Sequence, residues 1–175
     1  PYGVKPRLAL IHITSEAVRT KSLEVDVGDS IHAFMKQLGT DTSGRGYKLF
    51  RNQFGNLVAA RLRLAMKLGD NRIKNIDVKP IEEFDAWLGS DGDQESFWTG
   101  QLKLNPTFYQ TLLQHAVPLD RRALQSIKHS ALTIDVYTWL AQRLCRVERQ
   151  GVKLKWTNLK DQFGQEYSDT KNFKK

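Results

Sequence analysis

The stretch SIHAFMKQLGTDTSGRGYKLFRNQFGNL, Ser30 to Leu57, decides how this chain is read. Ile31, Phe34, Met35 and Leu38 fall at i, i+3, i+4 and i+7, the spacing of a short amphipathic helix that Ser30 caps and Gly39 ends. A polar turn, TDTSGRG, follows. Beyond it Phe50, Phe54 and Leu57 form an apolar stripe, and the pattern predicts a helix from about Tyr47 to Lys67. Lys48, Asn52, Asn56, Ala59 and Arg63 line its other face, with Arg45 and Arg51 flanking it. Short helix, turn and basic helix in this order form a helix-turn-helix pattern. Lys and Arg pair with phosphates or guanine, and Asn pairs bidentately with adenine, so this face has the chemistry of DNA reading. The bland alternative is an ordinary solvated helix face.

The surroundings weigh on that choice. The chain of 175 residues carries a formal net charge of +8, which favours a polyanionic partner. The charge is unevenly placed. Residues 1–44 balance to zero, residues 45–79 carry +7, residues 80–95 carry −6, and residues 96–175 carry +7. Two basic blocks separated by an acidic spacer predict domains over residues 1–80 and 97–175, joined by an acidic linker over 81–96. An apolar fraction of 40% suffices for a core.

In the first block, PRLALIHITSEAVRTKS predicts a buried helix from about Pro6 to Thr20, and Leu23, Val25 and Val27 alternate with Glu24 and Asp26 as a strand. NRIKNIDVKP reads as a strand or small hairpin, placing Arg72 and Lys74 on a wing. In the second block FWTGQLKLN reads as a strand, and helices begin at Asn105-Pro106, Asp120 and Ser130. VKLKW alternates as a strand, Thr157 caps NLKDQF, Gly164 ends it, and QEYSDT leads into KNFKK. The blocks share an order: buried helix, short strand, short helix ended by glycine, polar turn, basic helix. The chain therefore reads as helix-rich α+β with tandem winged-helix domains. Against this stands the reading that two small α+β units merely look alike. The repeat singles out Lys160, Thr170, Lys171, Asn172, Lys174 and Lys175 as a second DNA-binding surface; Tyr47 joins the first.

Enzymatic signatures are sparse. His12, His32, His115 and His129 are scattered, with no Cys/His cluster, so neither a metal site nor a cofactor is expected. GTDTSGRG has the glycine spacing of a phosphate loop, but Arg45 and Gly46 stand where Lys and Ser/Thr are needed. The carboxylates of Glu82–Glu95 read as a solvated linker rather than a catalytic pair. Cys145 is the only cysteine, which excludes an intrachain disulfide and favours a reducing cytoplasm. No apolar run approaches a membrane span. Beginning at Pro1 and ending on TKNFKK, the chain reads as a fragment or processed product, its second basic helix and wing cut short.

The segments YGVKPRLAL, SEAVRTKS, HAFMKQLGTDTSGRGYKLFRNQF and FYQTLLQHAVPLDRRALQSIKHSALTIDVYTWLAQRL resemble the plasmid-encoded RepA-type replication initiators. The stretches EAVRTKS and LDRRALQSIKHSALTIDVYTWLAQRL are the more specific, and the similarity runs from about Tyr2 to Lys175. The resemblance implies a protein that binds repeated origin sites (iterons) through two winged-helix domains. It further implies opening of adjacent AT-rich DNA, recruitment of host replication proteins, and alternation between monomer and homodimer, without helicase or polymerase activity. By position, Arg45, Lys48, Arg51 and Asn52 fall in the first recognition helix and Thr170 to Lys175 at the start of the second. Double-stranded DNA is thus the expected partner, and a membrane is not. The rivals are a winged-helix transcriptional repressor and a protein-interaction or dimerisation module that binds no DNA.

Overall fold

Leu8, Ala9, Ile13 and Ala17 bury one side of the first helix, α1 (Val4–Thr20), whose last turn closes on Lys21 in the left-handed conformation. The computed structural model describes the backbone of residues 3–68, 72–86, 98–147 and 151–174, and their side chains except at 64–68, 72–76, 85, 86, 98 and 99. These residues form two units, Pro1–Ala116 and Val117–Lys175. Both are helix-rich, and the antiparallel sheets lie in the first.

In the first unit, strand β1 (Glu24–Asp26) precedes helix α2 (Ile31–Gln37), whose first turn is capped by the Ser30 hydroxyl accepting from Ala33 N at 3.1 Å. Gly39, at φ 64, takes the left-handed position after the helix and turns the chain. Helix α3 (Gly44–Val58) follows. Strands β2 (Leu62–Leu68) and β3 (Arg72–Val78) form an antiparallel hairpin in which Leu64 faces Ile76 and Met66 faces Lys74 in register. Strands β4 (Ile81–Ala86) and β5 (Trp98–Leu104) complete a separate sheet of order β1-β5-β4. Asn105 and Pro106 then start α4 (Pro106–His115), with the Asn105 carboxamide oxygen accepting from Thr107 N and Phe108 N.

The core of this unit is aromatic. Phe34 of α2 meets Phe50 and Phe54 of α3 edge-on at 5.8 and 5.6 Å, and Phe54 meets Phe84 of β4 at 5.2 Å. Val25, Ile81, Leu102 and Leu104 are buried beneath the sheet side of the same unit. Fully burying an aliphatic or aromatic side chain of this kind stabilises by about 1.5–3 kcal/mol, which is what holds α3 to its scaffold.

The regular elements among the described residues of the second unit are all helices: α5 (Arg121–Ile127), α6 (Ala131–Leu144), α7 (Trp156–Phe163) and α8 (Thr170–Phe173). Asp120, Ser130 and Asp169 cap three of them through side-chain oxygens. Leu124 and Ile134 are its buried apolar residues.

Four expectations are corrected. The helix expected to reach Lys67 ends at Val58, because residues 62–68 pair with residues 72–78 instead. The expected linker begins with β4, which pairs with β5 because Ile81 and Phe84 supply apolar residues between the acidic ones; residues 87–96 lie outside the described residues. The strand and helix expected to open a second domain at residue 97 belong to the first unit, since β5 pairs with β1, Val25 opposite Leu102. Residues 151–155 form no strand, and α7 starts at Trp156 without a side-chain cap, so Thr157 lies inside the helix rather than capping it.

Candidate nucleic-acid interface

The first turn of α3 is fixed by a small knot of polar groups. The Asp41 carboxylate accepts from Ser43 N at 2.9 Å and from the Ser43 hydroxyl at 2.7 Å. That hydroxyl in turn accepts from Gly46 N at 3.1 Å, satisfying one of the helix's unpaired amide groups. The amide and hydroxyl of Ser43 hold the Asp41 carboxyl below its ordinary range, with Lys5 adding to the effect. Lys5 also reaches across from α1 to donate to the Gly46 carbonyl at 2.7 Å. Gly46 is buried here, and a Cβ on it would collide with the Asp41 carbonyl oxygen. His32 donates from Nε2 to the Thr42 carbonyl at 3.1 Å and stacks on Tyr47 at 5.3 Å. The start of α3 is therefore tied to α1, to α2 and to the turn that joins α2 to α3.

Consecutive helical residues are rotated by about 100°, so Arg45, Lys48, Asn52 and Asn56 fall within about 80° of one another. They lie on the side away from the buried Phe50, Phe54 and Leu57, and all four are exposed. Tyr47 and Arg51 are half-buried at the edges of this face. Ala59, just past the helix, is exposed. The face offers two cations and two carboxamides to solvent on a rigidly seated helix. This is an array of donors and acceptors suited to phosphate oxygens and base edges.

Arg63 is not on that face. It lies in β2, 3.8 Å from Asp77 across the hairpin, an exposed ion pair of small energetic weight. The misplacement follows from the helix ending at Val58. Arg72 and Lys74 lie on β3 of the β2–β3 hairpin, opposite Leu68 and Met66 in register; their side chains lie outside the described ones.

The second set is brought together only in part. Lys160 is half-buried on α7. Thr170, Lys171, Asn172 and Lys174 cluster around the four-residue α8. The Asn172 carboxamide is engaged locally, donating to Asp169 at 3.1 Å and Ser168 at 3.4 Å. The Lys174 ammonium lies 5.7 Å from the Trp156 ring centroid, a cation–π contact. Lys171 is exposed, and Lys175 lies outside the described residues.

Lys5, His32 and Asp41 were not picked out by sequence reasoning as part of the site, although they hold its helix. Asp41 followed two residues later by Ser43 is the turn signature that marks such a knot. Lys5 and His32 carry no comparable local signal. Among the described residues no group of three or more His, Cys, Asp or Glu side chains is placed to hold a metal ion. No helix among them is long and apolar enough to cross a membrane.

No curated protein and no solved structure matches the chain. The model of one family does: the plasmid-encoded RepA protein, over residues 1–158. A match over most of the 175 residues assigns the chain, which belongs to the plasmid-encoded RepA family of replication proteins.

Proposed function

We propose that this replication protein is a non-enzymatic, sequence-specific binder of double-stranded DNA that recognises repeated origin sites in the cytoplasm and recruits host replication proteins there. In this reading α3 is a recognition helix entering the major groove, and the β2–β3 hairpin is its wing. The element order α1-β1-α2-α3-β2-β3 supports the winged-helix reading of the first unit, with β1 paired to β5 rather than to the hairpin, and α7-turn-α8 repeats the helix-turn-helix order without a wing among the described residues. The observation that carries the proposal is the exposed Arg45–Lys48–Asn52–Asn56 face set directly against a buried phenylalanine anchor. A homodimer would place two such helices on adjacent repeats.

The test is titration of the protein against duplexes bearing the parent plasmid's origin repeats. Lys48→Ala and Asn52→Ala should each weaken specific binding by roughly 10- to 100-fold, since a good base contact is worth about 1–3 kcal/mol. Melting temperature should stay within about 2 °C of wild type, as for other exposed substitutions. Loss of stability with unchanged binding would mean that the two faces are assigned the wrong way round. A footprint on one promoter palindrome instead of origin repeats would favour a repressor. Elution with the void from immobilised random-sequence DNA at low salt would sink the DNA-binding reading and leave an interaction module.

A further inference from the structure

Leu49 is out of place. It is 48% exposed on α3, and the other exposed large apolar residue among the described residues of its unit is Leu113 on α4. On a helix, side chains three and four apart are neighbours, so Leu49 sits beside Arg45 on one side and Asn52 on the other. Its helical position borders the donor face rather than the Phe50–Phe54–Leu57 stripe, and neither burial nor an aromatic contact occupies it. A half-exposed leucine between an arginine and an asparagine lies outside the buried core, and it provides the apolar contact that a reading face of polar groups lacks. The major groove distinguishes thymine by its C5 methyl group, which only an apolar contact can sense.

Resting on the proposed DNA-binding reading, we propose that Leu49 is a specificity-determining residue that contacts a thymine methyl group in the major groove. That thymine lies within two base-pair steps of the base read by Asn52, because neighbouring side chains on a helix are about 5–6 Å apart and stacked base pairs about 3.4 Å. Asn52 and Leu49 together then select an A·T-containing step, the carboxamide through adenine and the leucine through the methyl.

Deoxyuridine is thymine without that methyl, so it isolates the contact. The probes are duplexes selected by the full chain from a random pool, resynthesised with deoxyuridine at one thymine at a time. For wild type, one position should weaken binding about fourfold, the equivalent of one buried methyl(ene) group. Leu49→Ala should bind the thymine duplex about fourfold more weakly and be indifferent to deoxyuridine at that position. Leu49→Met, which keeps apolar volume, should retain the sensitivity and guards against an effect of the alanine variant on folding. The inference is overturned if no deoxyuridine position matters to wild type, or if Leu49→Ala loses as much on deoxyuridine as wild type does. In both cases specific binding through Lys48 and Asn52 persists. A chain that selects no sequence at all overturns the DNA-binding reading together with this one.

Discussion

Both units carry the same order of parts near a basic helix: a short helix, a glycine, a polar turn and an oxygen cap. They hold that helix very differently. In the first unit Phe50 and Phe54 are buried against Phe34 and Phe84, and α3 runs for fifteen residues. In the second, Phe173 of α8 packs against Trp156 and Tyr167, both exposed, and α8 is four residues long. Leu144, Val152 and Leu154 of that unit are exposed as well. A helix seated on a buried aromatic cluster can present side chains at fixed angles; one resting on exposed rings presents them loosely. In the proposed DNA-binding reading, the first unit would carry base reading and the second softer contact with the phosphate backbone.

The widest test of that contrast is ionic strength. If six to ten phosphates are contacted, affinity should fall by roughly 10³–10⁵ between 50 and 200 mM salt. Each phosphate contact removed should lower the log–log slope by about 0.9. Comparing Lys48→Ala with Lys171→Ala then shows which unit carries backbone contacts and which carries sequence preference. Next in size is the anchor. Phe50→Ala should cost about 3–5 kcal/mol in chemical denaturation, whereas Phe173→Ala should cost clearly less. Equal losses would abolish the distinction between the units.

Glycines in α3 sharpen the same point. Gly46→Ala forces a methyl group onto the Asp41 carbonyl and should destabilise by about 1–3 kcal/mol. Gly55→Ala meets open space and should stabilise by about 1 kcal/mol through helix propensity. If α3 enters a groove as proposed, Gly55 would let it approach closely, and the more stable variant should bind DNA more weakly in the same titrations.

The smallest effects concern acid. Asp41 in the first unit and Asp120 in the second both have carboxyl groups held below the ordinary range. For Asp41 the cause is first the Ser43 amide; for Asp120 it is the Arg122 side chain. A depressed folded-state pKa stabilises above the ordinary carboxylate range, and that contribution fades as the pH falls through and below it. Asp41→Asn and Asp120→Asn should each lower melting temperature slightly at neutral pH, with the difference from wild type closing as the pH falls through and below the carboxylate range.

Much of this was legible in the sequence, for reasons that differ from element to element. Ser30, Asn105-Pro106, Asp120 and Ser130 each begin a helix because a short polar side chain followed by periodic apolar residues has few other uses. The donor face of α3 was legible from spacing alone. The end of α3 was not: NLVAARLRLAMKL is rich in good helix formers, and its period of two over Leu62, Leu64, Met66 and Leu68 matters only once residues 72–78 lie alongside. The reverse error fell on VKLKW, which alternates like a strand but has no partner strand among the described residues. The unit boundary was hidden because charge blocks report on solvent, while the β1–β5 pairing joins residues far apart in sequence.

That pairing also sets a timetable. A ribosome adds about 5–20 residues per second, so roughly 4–15 s separate the synthesis of Val25 from that of Leu102, its partner in the sheet. Over that interval Phe34, Phe50 and Phe54 are already available to one another, whereas β1 waits without a neighbour. The nascent chain can therefore assemble the α2–α3 helix pair before it closes the sheet of the same unit. Stalling translation between residues 60 and 100 would catch the two events apart.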